Sequence, residues 1–271
     1  MVTNDLALMQ EYMLSVFSTF DEICKKHDIK YSMEGGTLLG AAKFKGFVPW
    51  DDDIDVIMRR EDYERFLKIA PNELGDEFFL QSYNNVMDFP LNYAKLCMNK
   101  TKILNYAYSH LDKMNHGIFM DIFPIDNVNS KNFKLQRAFV GAFTSARAVK
   151  LKVVKLKGIR AFLYGALSLL PMKFLIGNIQ FWCNINNKKK TEQRYEICNS
   201  NKRFKPLPYE MYEEYSIMSF GDKSFMAVKN YDYFLKTRFG ENYMQEMPSE
   251  DKRGRSHIQE VYIDDEIFNK R

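Results

Sequence analysis

The residues from Tyr31 to Met58, YSMEGGTLLGAAKFKGFVPWDDDIDVIM, constrain this chain more than any other stretch. Four aspartates, Asp51, Asp52, Asp53 and Asp55, stand at the mouth of an apolar, β-prone run through Ile54, Val56, Ile57 and Met58. Successive side chains of a strand point to opposite faces, so Asp53 and Asp55 project from one side and converge. Like charges held that close repel, at a cost that rises as water is excluded. A solvated acidic turn is one reading, but the apolar flank carries these carboxylates into the fold. There the arrangement makes sense chiefly with a cation between them, and an all-oxygen donor set suits Mg²⁺ or Mn²⁺.

Upstream, Gly35 and Gly36 follow a short strand-like run, Ile29 to Met33, and with Thr37 form a turn into a helix through Leu38 to Lys43. Such a turn exposes backbone N–H groups at a helix N-terminus and favours phosphate, although a glycine pair alone often only marks a turn. Lys43 and Lys45 lie between this turn and the aspartates, either solvated or in reach of a bound phosphate as point charges. Trp50 either packs in the core or offers its ring face to a ligand.

Further along, Leu6, Met9, Met13, Val16, Phe17, Phe20, Ile23 and Cys24 recur at three and four residues, the stripe of an amphipathic helix over Asp5 to His27. The run RREDYERFLKIA has helical spacing and should close at Pro71. Phe78 to Tyr83 reads as a strand. Tyr93 to Met98 and Lys102 to Asn105 flank Asn99-Lys100-Thr101 and read as a hairpin. Ile118 to Phe123 is a strand in which Asp121 stands alone among apolar neighbours, and a lone carboxylate there needs a partner. A mixed sheet placing Asp121 beside Asp53 and Asp55 accounts for all three acids as one site. From Leu207 onward, short β-prone runs lead to a helix over Tyr231 to Phe239 that ends near Gly240.

With 271 residues and 46% apolar content the chain can bury a real core. Cys24, Cys97, Cys183 and Cys198 have no CxxC spacing, so neither a zinc site nor a disulfide framework is expected. Asp5 and Glu11 occupy positions where an export signal wants positive charge, which points to a cytoplasmic protein. The net charge of +4 conceals a division. Residues 131–205 hold 17 Lys or Arg against Glu192 and Glu196 alone, while the remainder has 22 basic and 33 acidic residues. An anionic partner for the basic segment follows, either a membrane surface or a nucleic acid. Within it, Ala161 to Leu170 and Phe174 to Cys183 are two apolar runs broken at Pro171-Met172-Lys173, each too short to span a bilayer. Aromatic residues flanked by Lys and Arg describe helices lying in the headgroup region; buried core helices are the alternative.

The stretch GGTLLGAAKFKGFVPWDDDIDV, followed by IFMDIFPID at Ile118 to Asp126, resembles the LicD family of phosphocholine transferases, to which fukutin-type phosphotransferases are also similar. The tail segment FGENYMQEMPSEDKRGRSH resembles the family's closing segment more loosely. The resemblance implies a nucleotidyltransferase fold in which Asp53 and Asp55 are the metal-binding DxD pair and Asp121 the third carboxylate. Gly35, Gly36, Thr37, Lys43, Lys45, Trp50, Asp51, Asp52, Arg253 and His257 are then candidates for substrate contact. It also implies transfer of phosphocholine from CDP-choline to a sugar hydroxyl of a lipid-linked cell-envelope glycan, such as a teichoic acid precursor. Phosphoethanolamine or an alditol phosphate is the sister cargo, and a nucleic-acid nucleotidyltransferase or an inactive membrane scaffold the rival class.

The expected fold is thus α/β (α+β): a nucleotidyltransferase-like mixed sheet with flanking helices and a basic helical insertion. Residues 1–130 form the catalytic core, 131–205 the insertion, and 206–271 a segment completing the catalytic domain. The partners expected are CDP-choline, a glycan acceptor on a lipid carrier and the anionic inner face of the cell membrane, with no nucleic acid.

Overall fold

The computed structural model describes residues 1–104, 108–198, 204–245 and 260–264. The first half runs β1 (Val2–Thr3), α1 (Leu6–Lys26), β2 (Ser32–Met33), α2 (Gly35–Phe44), β3 (Asp55–Arg59), α3 (Arg60–Glu73), β4 (Phe78–Gln81), β5 (Ala94–Met98), β6 (Thr101–Leu104) and β7 (Phe119–Val128). Three helices follow: α4 (Phe133–Lys150), α5 (Gly158–Ser168) and α6 (Met172–Asn184). The chain then returns through β8 (Gln193–Tyr195), β9 (Leu207–Pro208), β10 (Tyr215–Phe220), β11 (Lys223–Val228), α7 (Tyr231–Phe239) and β12 (Glu260–Ile263). The fold is α/β, as the sequence pattern implies.

A seven-stranded mixed sheet is the centre, in the order β2-β3-β7-β5-β4 with β8 and β9 continuing from β7. β3 and β7 are parallel, whereas β2 with β3, β5 with β7 and β4 with β5 are antiparallel. Helix α1 starts where the Asp5 carboxylate accepts from the N–H groups of Ala7 and Leu8. Its apolar stripe is buried on the sheet, and Phe17 stacks on Phe225 of β11 with ring centroids 3.8 Å apart. The β10–β11 hairpin is fixed to the β2 segment by side-chain hydroxyls: Tyr31 accepts from Met226 N–H and Ser32 from Val228 N–H.

Three local expectations are corrected. Pro71 does not close α3, which continues to Glu73; it sits in the last turn, where Leu74 N–H still reaches Ala70 O. The expected hairpin over 93–105 does not form: both edges of β5 are taken, by β4 and β7, so β6 turns away and pairs with β12. The strand expected to stop at Phe123 runs to Val128, through Pro124. Asp121 N–H bonds Ile54 O on the β3 side, so by alternation the Pro124 nitrogen faces the other side. There β5 has ended at Ala94, opposite Ile122, and β8 begins only at Tyr195, opposite Asp126. Proline is tolerated because no ladder partner is waiting for its missing N–H.

Within 131–205, α5 and α6 are separate helices bent by 108° at their junction, and no single helix among the described residues is long and apolar enough to cross a membrane. The stretch also supplies β8 to the central sheet. A buried Arg60–Asp126 pair, two hydrogen bonds of 2.8 and 2.9 Å, ties α3 to β7 near this point.

Candidate metal centre

The site forms where α2, β3 and β7 meet. Asp55 opens β3 and stands in register with Asp121 of the parallel β7, so their side chains leave the same face of the sheet. Thr37 is buried, and its hydroxyl oxygen accepts from Asp55 N–H at 2.9 Å, which fixes where β3 begins. The loop before it is anchored from α1, where Gln10 Nε2 donates to Asp51 O at 2.9 Å. Single carboxylate oxygens of Asp51, Asp52 and Asp53 lie within 4.8 Å of one another. The tightest acidic group among the described residues is therefore this run, which draws Asp51 and Asp52 in with Asp53.

The glycine pair is where these acids meet the helix. A Cβ on Gly36 would lie 2.2 Å from Asp51 Oδ2, and one on Gly35 would lie 3.2 Å from Asp55 Oδ2. Gly35 also has φ +51, a conformation that L side chains rarely adopt. The two glycines thus allow two carboxylates to approach the first turn of α2, whose positive end favours them.

Electrostatics mark the site as short of positive charge. Burial, then Asp53, Asp121, Asp51 and Glu34, push the Asp55 carboxyl well above the ordinary carboxylate range. Burial, then Asp53 and Asp52, push Asp51 up to about 8. Asp51 Oδ2 is also a buried oxygen without a hydrogen-bond partner. An orphaned oxygen beside further acids, in a place that glycine leaves open, is the donor set of a hard divalent cation, and Mg²⁺ or Mn²⁺ fits it.

Two features escaped the sequence reading. Lys95 of β5 is opposite Asp121, only 2% exposed, with Nζ 2.5 Å from Asp121 Oδ1 and 3.2 Å from the centre of the Phe119 ring. One row across the sheet therefore reads Asp55, Asp121, Lys95. The signal was present, since Lys95 is the one charge in the strand AKLCM. The second feature is Glu34, immediately before the glycine pair. Its Oε1 lies 3.2 Å from Arg238 Nε, and Arg238 also pairs with Glu196, all three side chains being buried. Burial and then Glu196 push Glu34 up to about 8, against the opposing pull of Arg238. A buried charged cluster thus joins the residue after β8, α7 and the N-cap of α2.

The other candidates are placed as follows. Trp50 is half-buried and packs against the main core. Lys43 is half-buried, 5.7 Å from the centre of the Phe44 ring. Lys45 is exposed in the left-handed conformation that ends α2, and its carbonyl accepts from Gly221 N–H. Arg253 and His257 lie outside the described residues. Two surface concavities, of about 590 and 610 Å³, are lined by other residues, so chemistry and not cavity volume identifies the site.

Comparison with known proteins bears on this geometry directly. A family model described as LicD/FKTN/FKRP, nucleotidyltransferase domain, matches residues 28–160, which include every aspartate above. The lipopolysaccharide cholinephosphotransferase LicD of Haemophilus influenzae is 28% identical over 258 residues, covering 92% of this chain and 95% of that protein. An uncharacterized protein of Rickettsia prowazekii is 44% identical over 109 residues, 38% of this chain and 41% of its own length.

Proposed function

Because the chain belongs to the LicD family, we propose that it transfers phosphocholine from CDP-choline to a sugar hydroxyl of a lipid-linked cell-envelope glycan. A teichoic acid precursor is the acceptor we favour, with the enzyme at the cytoplasmic face of the membrane. The observation that carries the reading is the registered pair Asp55–Asp121 beside the Asp51–Asp53 cluster, in a chain aligned almost end to end with a cholinephosphotransferase.

In this mechanism the sugar hydroxyl oxygen attacks the phosphorus that bears choline, the bond from that phosphorus to the oxygen kept by CMP breaks, and the hydroxyl proton passes to water. Asp53 and Asp55 would hold Mg²⁺ or Mn²⁺, with Asp121 as the third carboxylate. The ion would supply stabilisation of the negative charge that spreads over the phosphoryl oxygens. Lys95 Nζ, 2.5 Å from Asp121 Oδ1, already engages one oxygen of that carboxylate, so we assign Asp121 to ligation and not to general-base work. Gly35 and Gly36 keep the carboxylates against the helix start, and Thr37 fixes the first residue of the strand that carries Asp55. Lys43 and Lys45 would meet the donor's phosphates, and Trp50 would form one wall for the quaternary ammonium.

Purified protein with Mg²⁺ and a sugar acceptor is expected to release CMP from CDP-choline faster than from CDP-ethanolamine or a CDP-alditol. Equal release from all three donors would refute choline as the cargo. Nucleotide incorporation into RNA, without CMP release, would refute the class.

A further inference from the structure

The concavity of about 610 Å³ lies between α4 and α5, far in sequence from the aspartates and lined by Asn92 and by residues of 133–164 and 197–198. Its polar rim carries Lys134, Arg137 and Arg160, and its lining includes no acidic residue. None of these three cations forms an ion pair among the described residues. Arg137 is held instead by rings, 5.6 Å from the centre of Phe133 and 5.5 Å from that of Tyr195. Behind the wall, fully buried Arg147 donates to Pro90 O and Asn92 Oδ1, both at 2.7 Å, while its Nε and a second terminal nitrogen have no hydrogen-bond partner. Asn92 passes the contact on by donating to Thr144 Oγ1 in the groove lining. Among the described residues neither the three groove cations nor Arg147 behind them forms an ion pair, and a concave surface of one sign focuses an anion.

The rest of the groove is apolar, with Val140, Val154, Leu156 and Tyr164. Its outer wall, α5, has no buried residue, and Ile159 and Phe162 are each 76% exposed. Lys150 Nζ, donating to Ser168 O at 2.8 Å, joins the C-terminal ends of α4 and α5. An anion seated here would have greasy, water-exposed side chains beside it. A free phosphate uses only the cations; an anionic lipid uses both surfaces.

We propose that the α4–α5 groove seats the phosphate of an anionic phospholipid headgroup, held by Lys134, Arg137 and Arg160, while Ile159, Phe162 and Leu163 of α5 enter the acyl boundary. This deepens the reading of the basic segment as membrane-facing and rests on it, not on the chemistry at the aspartates.

The test is flotation of the full chain with vesicles of phosphatidylcholine containing a quarter phosphatidylglycerol, a readout independent of turnover. A basic residue near an anionic surface contributes roughly fivefold in partitioning, so Lys134→Gln, Arg137→Gln and Arg160→Gln together should lower it on the order of a hundredfold. Lys188→Gln, Lys189→Gln and Lys190→Gln remove the same charge outside the groove and should lower it about tenfold or less. Equal losses from the two triple variants would overturn the proposal in favour of diffuse attraction. Displacement from vesicles by millimolar inorganic phosphate would overturn it in favour of a free-anion site. Loss of RNA binding with vesicle binding intact would overturn it as well. Arg160→Gln alone, at an exposed position, is expected to show the fivefold effect even if the triple variant fails to fold.

Discussion

Replacing Gly36 by alanine sets two effects of known size against each other. Alanine in a helix is worth about 0.5 to 1 kcal/mol over glycine, so the backbone alone predicts stabilisation. The new Cβ, however, would stand 2.2 Å from Asp51 Oδ2, far inside van der Waals contact, and that oxygen is buried. Overpacking of this kind costs about 1 to 3 kcal/mol, so the net change is a loss of up to about 2.5 kcal/mol. For a chain of this size that is a fall in Tm of up to about 10 °C. Urea unfolding of metal-free protein, followed by circular dichroism, reads the number directly. The same substitution in an Asp51→Ala background has nothing to strike, and there it should stabilise by about 0.5 to 1 kcal/mol. A change of sign between backgrounds, with a coupling energy of about 1 to 3 kcal/mol, is the expected result. If Gly36→Ala stabilises the native background, or acts alike in both, the close approach of Asp51 to the helix start is not what the glycine serves.

Asp53→Asn, Asp55→Asn and Asp121→Asn should each remove nearly all CMP release, and the triple variant should be little worse, because ligands of one ion act as a unit; the same assay checks this, and small additive losses would contradict a single site. Stability should depend on pH in the metal-free protein. Asp51 and Glu34, ordinarily near 3.8 and 4.5, are both pushed up to about 8, so the folded chain keeps protons that the unfolded chain has released. Stability is then fully present below about pH 4, and falls as pH rises towards and through 8, by up to about 1.4 kcal/mol per pH unit for each group. Thermal melts with and without Mg²⁺ should show the ion flattening the Asp51 part of this slope; a slope of opposite sign would refute the assignment. Arg238→Met leaves Glu34 and Glu196 buried without their cation and should cost about 3 to 5 kcal/mol in urea unfolding, most of it recovered in a Glu34→Gln, Glu196→Gln background. Trp50→Ala should raise KM for CDP-choline and leave CDP-ethanolamine nearly unchanged; an equal loss for both donors would make Trp50 a core residue only.

Much of the frame was legible because its signals are local. The helix stripe of α1, the apolar run that carries the aspartates and the two broken apolar helices follow from periodicity within one segment. The role of the glycines was only half legible. Their pattern announces a turn into a helix, but the reason for two of them lies in Asp51 and Asp55, which are distant in sequence and brought to 2.2 and 3.2 Å of the missing Cβ atoms by the fold. Glu34 was passed over for the same reason: its partners, Arg238 and Glu196, come from elements more than 160 residues away.

The failed hairpin and the overlooked lysine share one cause, which is that turn chemistry is local and strand pairing is not. Asn99-Lys100 does make a tight bend, with Lys100 at φ 58, yet a bend only brings two strands together if an edge is free to pair. The edges of β5 had gone to β4 and β7. That same pairing with β7 sets Lys95 opposite Asp121, while the parallel pairing with β3 sets Asp55 on its other side. A slip of one residue in either ladder would turn the partner to the opposite face and leave Asp121 against an apolar neighbour. The charge of the candidate site thus depends on two registers as much as on the aspartate motif. With both in place the row carries two negative groups and one positive, and Lys95 already balances the carboxylate farthest from the Asp51–Asp53 cluster. The carboxyls of Asp51 and Asp55 are the ones pushed upward, and it is beside them that a divalent ion has most to stabilise.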